Sequence, residues 1–388
     1  MKKAIVITVI LSIAILAGCY NTLTNEQKDE NSPGGSYNQA YVAPSTERIN
    51  FEGANPFEGI NARRGNFIFE AGEGKILVKS DKLYLFDVKG QKVVAEGPLK
   101  DFNPPERYFT TEEGYCVVGN EHTESQKITK ACYYNENLDI VQEVNLNEVL
   151  GESPKFIAVD KTGKKIAFAT DTGLFLYDLV KGTKQTLLNL GLENTEANNG
   201  LTYLSDLAFF DKDTKIAFIG SCYEKIGGNS KKQPTFGTIS VDGTEMVNEK
   251  AELPRLRNME ATDYYVAFSE DAYPINTGEP VGKVIIIDNA TGQIHRHTLQ
   301  NKHESQNVFL LGKGKYFITC LQNDDKEVIY RIYDSKTGKL FKETKQEFDG
   351  KTDEKYIKTY VQTFDDTNTF IAVSAFYNSE PVVTIHEF

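Results

Sequence analysis

The 388-residue chain is 40% hydrophobic and 25% charged, with 30 Gly and a formal net charge of −12. Those fractions exclude wholesale disorder and allow one large core or two ordinary ones. The acidic balance excludes a basic nucleic-acid-binding surface, and five His with five Cys leave little for a multi-ligand metal centre or a c-type haem.

Met1-Lys2-Lys3 precedes an apolar run from Ala4 to Ala17, the form of a secretory signal too short for a comfortable membrane span. The run ends Leu16-Ala17-Gly18-Cys19, which resembles the bacterial lipobox. The resemblance implies a signal over 1–18, cleavage before Cys19, and a lipid on its thiol. The mature protein would then stand outside the cytoplasmic membrane, held by two acyl chains. Residues 19–46, rich in Asn, Glu, Ser, Gly and Pro, show no apolar period and read as a flexible tether.

Residues 47–388 carry no sustained helical period. Short β-rich runs alternate with Gly, Asp and Asn turns, and one apolar strand recurs. It is found at Ile76–Val78, Cys116–Val118, Ile166–Phe168, Ile216–Phe218, Val266–Phe268, Phe317–Thr319 and Ile371–Val373, in steps of 40, 50, 50, 50, 51 and 54 residues. A second strand follows each, ending in an apolar or aromatic residue and then a polar one: Phe86-Asp87, Tyr134-Asn135, Tyr177-Asp178, Val241-Asp242, Ile287-Asp288, Tyr333-Asp334 and a degenerate Ile385-His386. The recurring Asp fits a turn in which its carboxylate accepts backbone N–H groups. A period of this length with about four strands per unit predicts an all-β, seven-bladed β-propeller. The seventh unit lacks an outermost strand, and a strand near Arg48–Phe51 is predicted to complete it and close the ring.

Val159–Phe168 resembles the Ser-Pro-Asp-Gly-Lys-x-Ile-Ala-Phe repeat of TolB-type propellers, with a weaker copy at Phe210–Phe218. The turns at Asp288–Gly292 and Asp334–Gly338 resemble those of pyrroloquinoline-quinone-like and WD-type propellers. The resemblance implies the fold. TolB-type propellers normally have six blades, so their role is not carried over. The repeat Trp of quinoproteins is absent, and so is Cys-x-x-Cys-His. No cofactor is therefore expected.

In a propeller blade, strands A to D run outward from the axis. A–B and C–D turns share one face; B–C and D–A loops share the other. Here the B–C segments Asn120–Thr129, Tyr223–Phe236 and Glu270–Gly282 are long and the A–B turns short, which makes the long-loop face the expected binding surface. Its candidate residues are Tyr223, Lys225, Phe236, Glu270, Asp271, Tyr273, Asp324 and Asp325. Cys116 and Cys132, symmetric about residue 124, are a candidate disulfide. His295-Arg296-His297 has zinc-compatible spacing, but no metal site is expected. No nucleophile elbow, zincin or P-loop motif occurs. The expected function is a lipid-anchored extracytoplasmic scaffold that binds an envelope protein or surface polymer without catalysis. The alternative is a lyase or glycan hydrolase with Glu260, Asp263 and Arg107 in a polar funnel.

Overall fold

The structure is a computed structural model. It describes residues 45–51, 55–60, 67–100, 102–122, 127–191, 200–226, 229–271, 282–299, 308–323, 327–348, 357–364, 367–376 and 380–387. The expected signal, Cys19 and nearly all of the expected tether lie outside the described residues. Among those described, no helix is long and apolar enough to cross a membrane.

The described strands form seven four-stranded antiparallel sheets. Six follow the chain in simple order: Ile68–Gly97 is blade one, Asn103–Asn145 blade two, Phe156–Asn189 blade three, Leu201–Lys250 blade four, Arg255–Thr298 blade five and Val308–Glu347 blade six. Blade seven takes Ile357–Thr363, Thr369–Phe376 and Val382–Glu387 from the C-terminus and Ser45–Arg48 from the other end of the chain. The closing strand pairs from Ser45↔Glu387 to Arg48↔Thr384. It begins earlier than the sequence predicts. Ile49 still donates its N–H to the Val383 carbonyl at 3.0 Å, and Phe51 then packs against Phe57 and Phe86, at 5.5 and 5.8 Å between ring centroids.

The apolar residues explain why blades associate. Each of the seven buried clusters lies between two neighbouring blades, and the one holding Ile49, Ile76, Ile371 and Val383 joins blade seven to blade one. Strand B is buried on both faces, so its alternate residues serve different neighbours. In blades three, four and five the large residues Ile166 and Phe168, Ile216 and Phe218, and Val266 and Phe268 face the preceding blade. Ala167, Ala217 and Ala267 face the next. Large against small lets flat sheets approach while their cores interlock.

The repeat alignment is one residue out in two blades. In blade two Tyr115 and Val117 face backward and Cys116 and Val118 forward. In blade seven Phe370 and Ala372 face backward and Ile371 and Val373 forward. His386, paired with Phe370, therefore occupies a buried slot that holds Phe86 in blade one and Tyr177 in blade three.

Six of the recurring polar residues do what the turn chemistry requires. Asp87 accepts the Gly90 N–H at 3.0 Å, Asn135 that of Asn137 at 3.0 Å, and Asp178 that of Lys181 at 2.9 Å. Asp242 accepts from Thr244 N at 3.0 Å, Asp288 from Thr291 N at 3.1 Å and Asp334 from Thr337 N at 2.8 Å. Hydrogen bonds from the Ser240 hydroxyl and the Thr244 N–H and hydroxyl hold the Asp242 carboxyl down, at about 2.

Candidate functional site

On the long-loop face, two of the segments read as loops, Asn120–Thr129 and Tyr223–Phe236, are hairpin in their described residues, while 272–281 of the third lie outside the described residues. Strands Lys215–Ile226 and Asn229–Ser240 of blade four pair without a break to Ile226↔Asn229. The inner strand of that blade follows them only to Cys222, and the outer one starts at Thr235. Residues 223–226 and 229–232 therefore form a two-stranded ribbon standing beyond the blade. Tyr223, 42% exposed, is at its base, directly opposite the exposed Lys232. The Lys232 ammonium lies 5.1 Å from the Tyr203 ring centre. Lys225 is on the ribbon, opposite Ser230. Blade two extends similarly, pairing to His122↔Lys127.

Two expected surface residues are core. Phe236 is fully buried and packs on Phe268 at 5.0 Å between ring centroids. The Arg296 guanidinium sits 5.2 Å from its ring centre. Glu270 is also fully buried. Its carboxylate accepts the N–H groups of Glu252 and Leu253 at 3.3 and 3.0 Å, 3.8 Å from Arg296. Burial pushes its carboxyl up, opposed by those N–H groups and by Arg296. Phe236, Glu270 and Arg296 thus meet as inter-blade packing, because each projects sideways from its strand toward the neighbouring blade rather than up from a loop tip. Asp271 ends strand B of blade five, opposite Arg255. Tyr273, Asp324 and Asp325 lie outside the described residues.

The disulfide is excluded by register. Cys116 pairs with Tyr133 and Cys132 with Val117, one residue off the symmetric arrangement, so the thiols point to opposite faces of the sheet. Cys116 joins the core toward blade three and Cys132 the core toward blade one; both are free. Burial pushes the Cys116 thiol up to about 12. The His295 and His297 rings are parallel, 6.2 Å apart, but the Nε2 of His297 is 2.8 Å from the Ser335 carbonyl oxygen and its ring stacks on Phe317. His297 thus wedges blade five against blade six. Among the described residues no group of His, Cys, Asp and Glu is placed to hold a metal ion.

Arg107 does reach the axis. A register shift in strand A of blade two aims it across to the Asp206 carboxylate of blade four. It also donates to the Ile157 and Leu207 carbonyls at 3.3 and 3.2 Å. One guanidinium therefore ties blades two, three and four. Glu106, beside it, accepts from Lys79 at 2.5 Å and from the Tyr108 hydroxyl at 2.8 Å. Glu260 reaches Thr363 of blade seven at 3.5 Å.

Asp263 belongs to a different arrangement, which the sequence reading missed. It accepts the Lys212 N–H at 2.9 Å and the Lys161 ammonium at 2.8 Å, while Asp213 accepts the Lys161 N–H at 2.9 Å. The Lys161 carbonyl in turn accepts the Glu112 N–H at 2.6 Å. The A–B turns of blades two to five are thus stitched in sequence. The stitch needs Asp211, Lys212 and Asp213 in the left-handed region, at φ 53°, 53° and 63°, a costly conformation for non-glycine residues. In the sequence, Asp211-Lys212-Asp213 reads as no more than a turn.

On this short-turn face opens a cavity of about 790 Å³. Its walls come from the A–B turns of blades one, two, three, five and seven and the C–D turn of blade one. Phe209, Ala261 and Phe364 give it an apolar floor.

No protein-family model and no curated protein sequence matches the chain. Among solved structures it is similar to an acylaminoacyl peptidase in complex with Z-Gly-Gly-Phe-chloromethyl ketone, at TM-score 0.44 and 10% identity, over 71% of this chain and 44% of that one. The uncomplexed acylaminoacyl peptidase of Pyrococcus horikoshii gives TM-score 0.44 and 11% identity, over 69% of this chain and 42% of that one. The chain spans less than half the length of these peptidase chains.

Proposed function

We propose that the protein is a lipid-anchored, extracytoplasmic binding propeller. Cys19 carries the lipid, and the blade-four ribbon on the long-loop face docks an envelope protein. The observation that supports the docking reading is the ribbon itself. Eight residues stand beyond their blade with both strand edges unpaired by any other described strand, beside an exposed aromatic ring. Open strand edges recruit an extended partner segment through main-chain hydrogen bonds. Tyr223 supplies contact area at low entropy cost, and Lys231 and Lys232 favour an acidic segment.

Two measurements test the proposal separately. A clickable fatty acid should label the wild type and not Cys19→Ala; label retained in that variant overturns the anchor. Crosslinking and pull-down from intact membranes should recover one protein with the wild type. Tyr223→Ala should weaken its capture roughly thirtyfold, the loss of about 2 kcal/mol expected for an aromatic anchor. Lys336→Ala, in a C–D turn on the opposite face, should leave capture unchanged. Equal loss from both variants, or recovery of a surface polymer in place of a protein, overturns the docking reading.

A further inference from the structure

The short-turn face carries a second site, separate from the ribbon. Its cavity is lined by six carboxylates and two lysines. Lys161 is committed to Asp263. Among the described residues the rim carboxylates of Glu47, Glu112 and Glu387 are in no ion pair and are exposed. Beneath them the floor is hydrocarbon, with Phe364 buried and Phe209 and Ala261 half-buried. An acidic rim above an apolar floor is complementary to a ligand with cationic heads on an aliphatic body. The volume falls in the range of small-ligand sites, roughly 300–1,000 Å³.

The chain's own tether is the nearest competitor, because Ser45 pairs with Glu387 at the rim. Its charges argue against it: Glu26, Asp29 and Glu30 outnumber Lys28, so it would bring anions to an anionic mouth. The rim carboxylates outnumber its one other lysine, Lys89, so an anionic ligand is repelled on balance and a neutral one gains no charge pairing. We propose that the cavity binds alkylammonium ligands, free polyamines or the lysine side chains of an extended peptide, with the ammonium groups at Glu47, Glu112 and Glu387 and the methylenes over Phe209 and Phe364.

The test is calorimetric titration of the full-length chain in detergent with two probes, spermidine and a blocked trilysine peptide. At least one should bind with a stoichiometry of one, and the probe that binds more tightly identifies the source. Glu112→Gln and Glu387→Gln should each weaken binding roughly tenfold, the effect of one charge-assisted contact. Glu245→Gln removes the same charge from an exposed turn on the same face outside the cavity, and should leave binding unchanged. The rim residues are exposed, so their variants should fold. Absence of binding by both probes overturns the proposal. So does an equal effect of all three substitutions, which would mark diffuse attraction to an acidic protein.

Discussion

His386 fills a position where neighbouring blades place a large apolar or aromatic side chain. Its ring stacks on Phe370 at 4.5 Å and meets Tyr330 at 4.8 Å. The Thr384 hydroxyl is 2.9 Å from Nε2 and the Thr46 hydroxyl 3.4 Å from Nδ1, which ties the ring to the closing strand. The ring is 1% exposed, and burial lowers its pKa from 6.5 to about 4. The unfolded chain therefore takes up a proton near pH 6.5 that the folded chain refuses until near pH 4. Stability contributed by the neutral ring is complete above pH 6.5 and declines as the pH falls toward 4, by about 3 kcal/mol across that window. Thermal unfolding at pH 7 and pH 4.5 should show a larger drop for the wild type than for His386→Phe, which keeps the stacking and removes the proton. Parallel curves would show that carboxylates elsewhere govern the acid loss.

At the scale of elements, strand type and order were legible because Val, Ile, Phe and Tyr recur in short runs between Gly and Asp turns. Strand phase was less so. Where both faces of a strand are buried, apolar residues follow one another and nothing in Phe370–Val373 or Tyr115–Val118 says which faces which neighbour. The disulfide expectation failed through this ambiguity, since a one-residue change of register sends Cys116 and Cys132 to opposite faces. Phe236 and Glu270 failed for a related reason: a long stretch between two apolar strands reads as loop, but here it continues the hairpin, and its side chains reach the adjacent blade. Gly237 shows how closely that hairpin is packed. A Cβ there would collide with the Val247 carbonyl oxygen and sit 2.7 Å from the Phe218 ring. Both are held by the blade, so relaxation must move strand against strand. Gly237→Ala should destabilise the protein by roughly 2–3 kcal/mol, as overpacking does, measured as a shift of the urea midpoint. A neutral result would mean that the outer strand of blade four gives way freely.

For the whole molecule, the seven-fold count rested on agreement between the two chain ends, and the closing strand is where the fold is most exposed to failure. Ser45–Arg48 supplies the outermost strand of blade seven, and Ile49, 4% exposed, and Phe51 enter the cluster that joins blades seven and one. The axis adds a second set of ties, Arg107 to Asp206 and Glu260 to Thr363, which link blades that are not neighbours in sequence. Those side chains had been candidates for catalysis. Their partners were invisible to sequence reading, because they come from blades about 100 residues away. Removing residues 1–51 deletes the closing strand with Ile49 and Phe51 while leaving the axial ties intact. The ring should then open at the blade seven–blade one seam, exposing the edge of Val382–Glu387 and half of an apolar cluster. The loss of the buried Ile49 and half-buried Phe51 side chains alone costs on the order of 3 kcal/mol, and the bare edge invites pairing between molecules. Unfolding of the truncated chain should begin at lower denaturant, and light scattering should report oligomers. A synthetic peptide spanning residues 44–51 should reverse both effects, whereas the same peptide with Glu47→Pro, which removes the N–H that faces Ile385 across the ladder, should restore less. A truncated chain as stable and monomeric as the full one would show that the axial ties and the remaining inter-blade cores hold the ring without its closing strand.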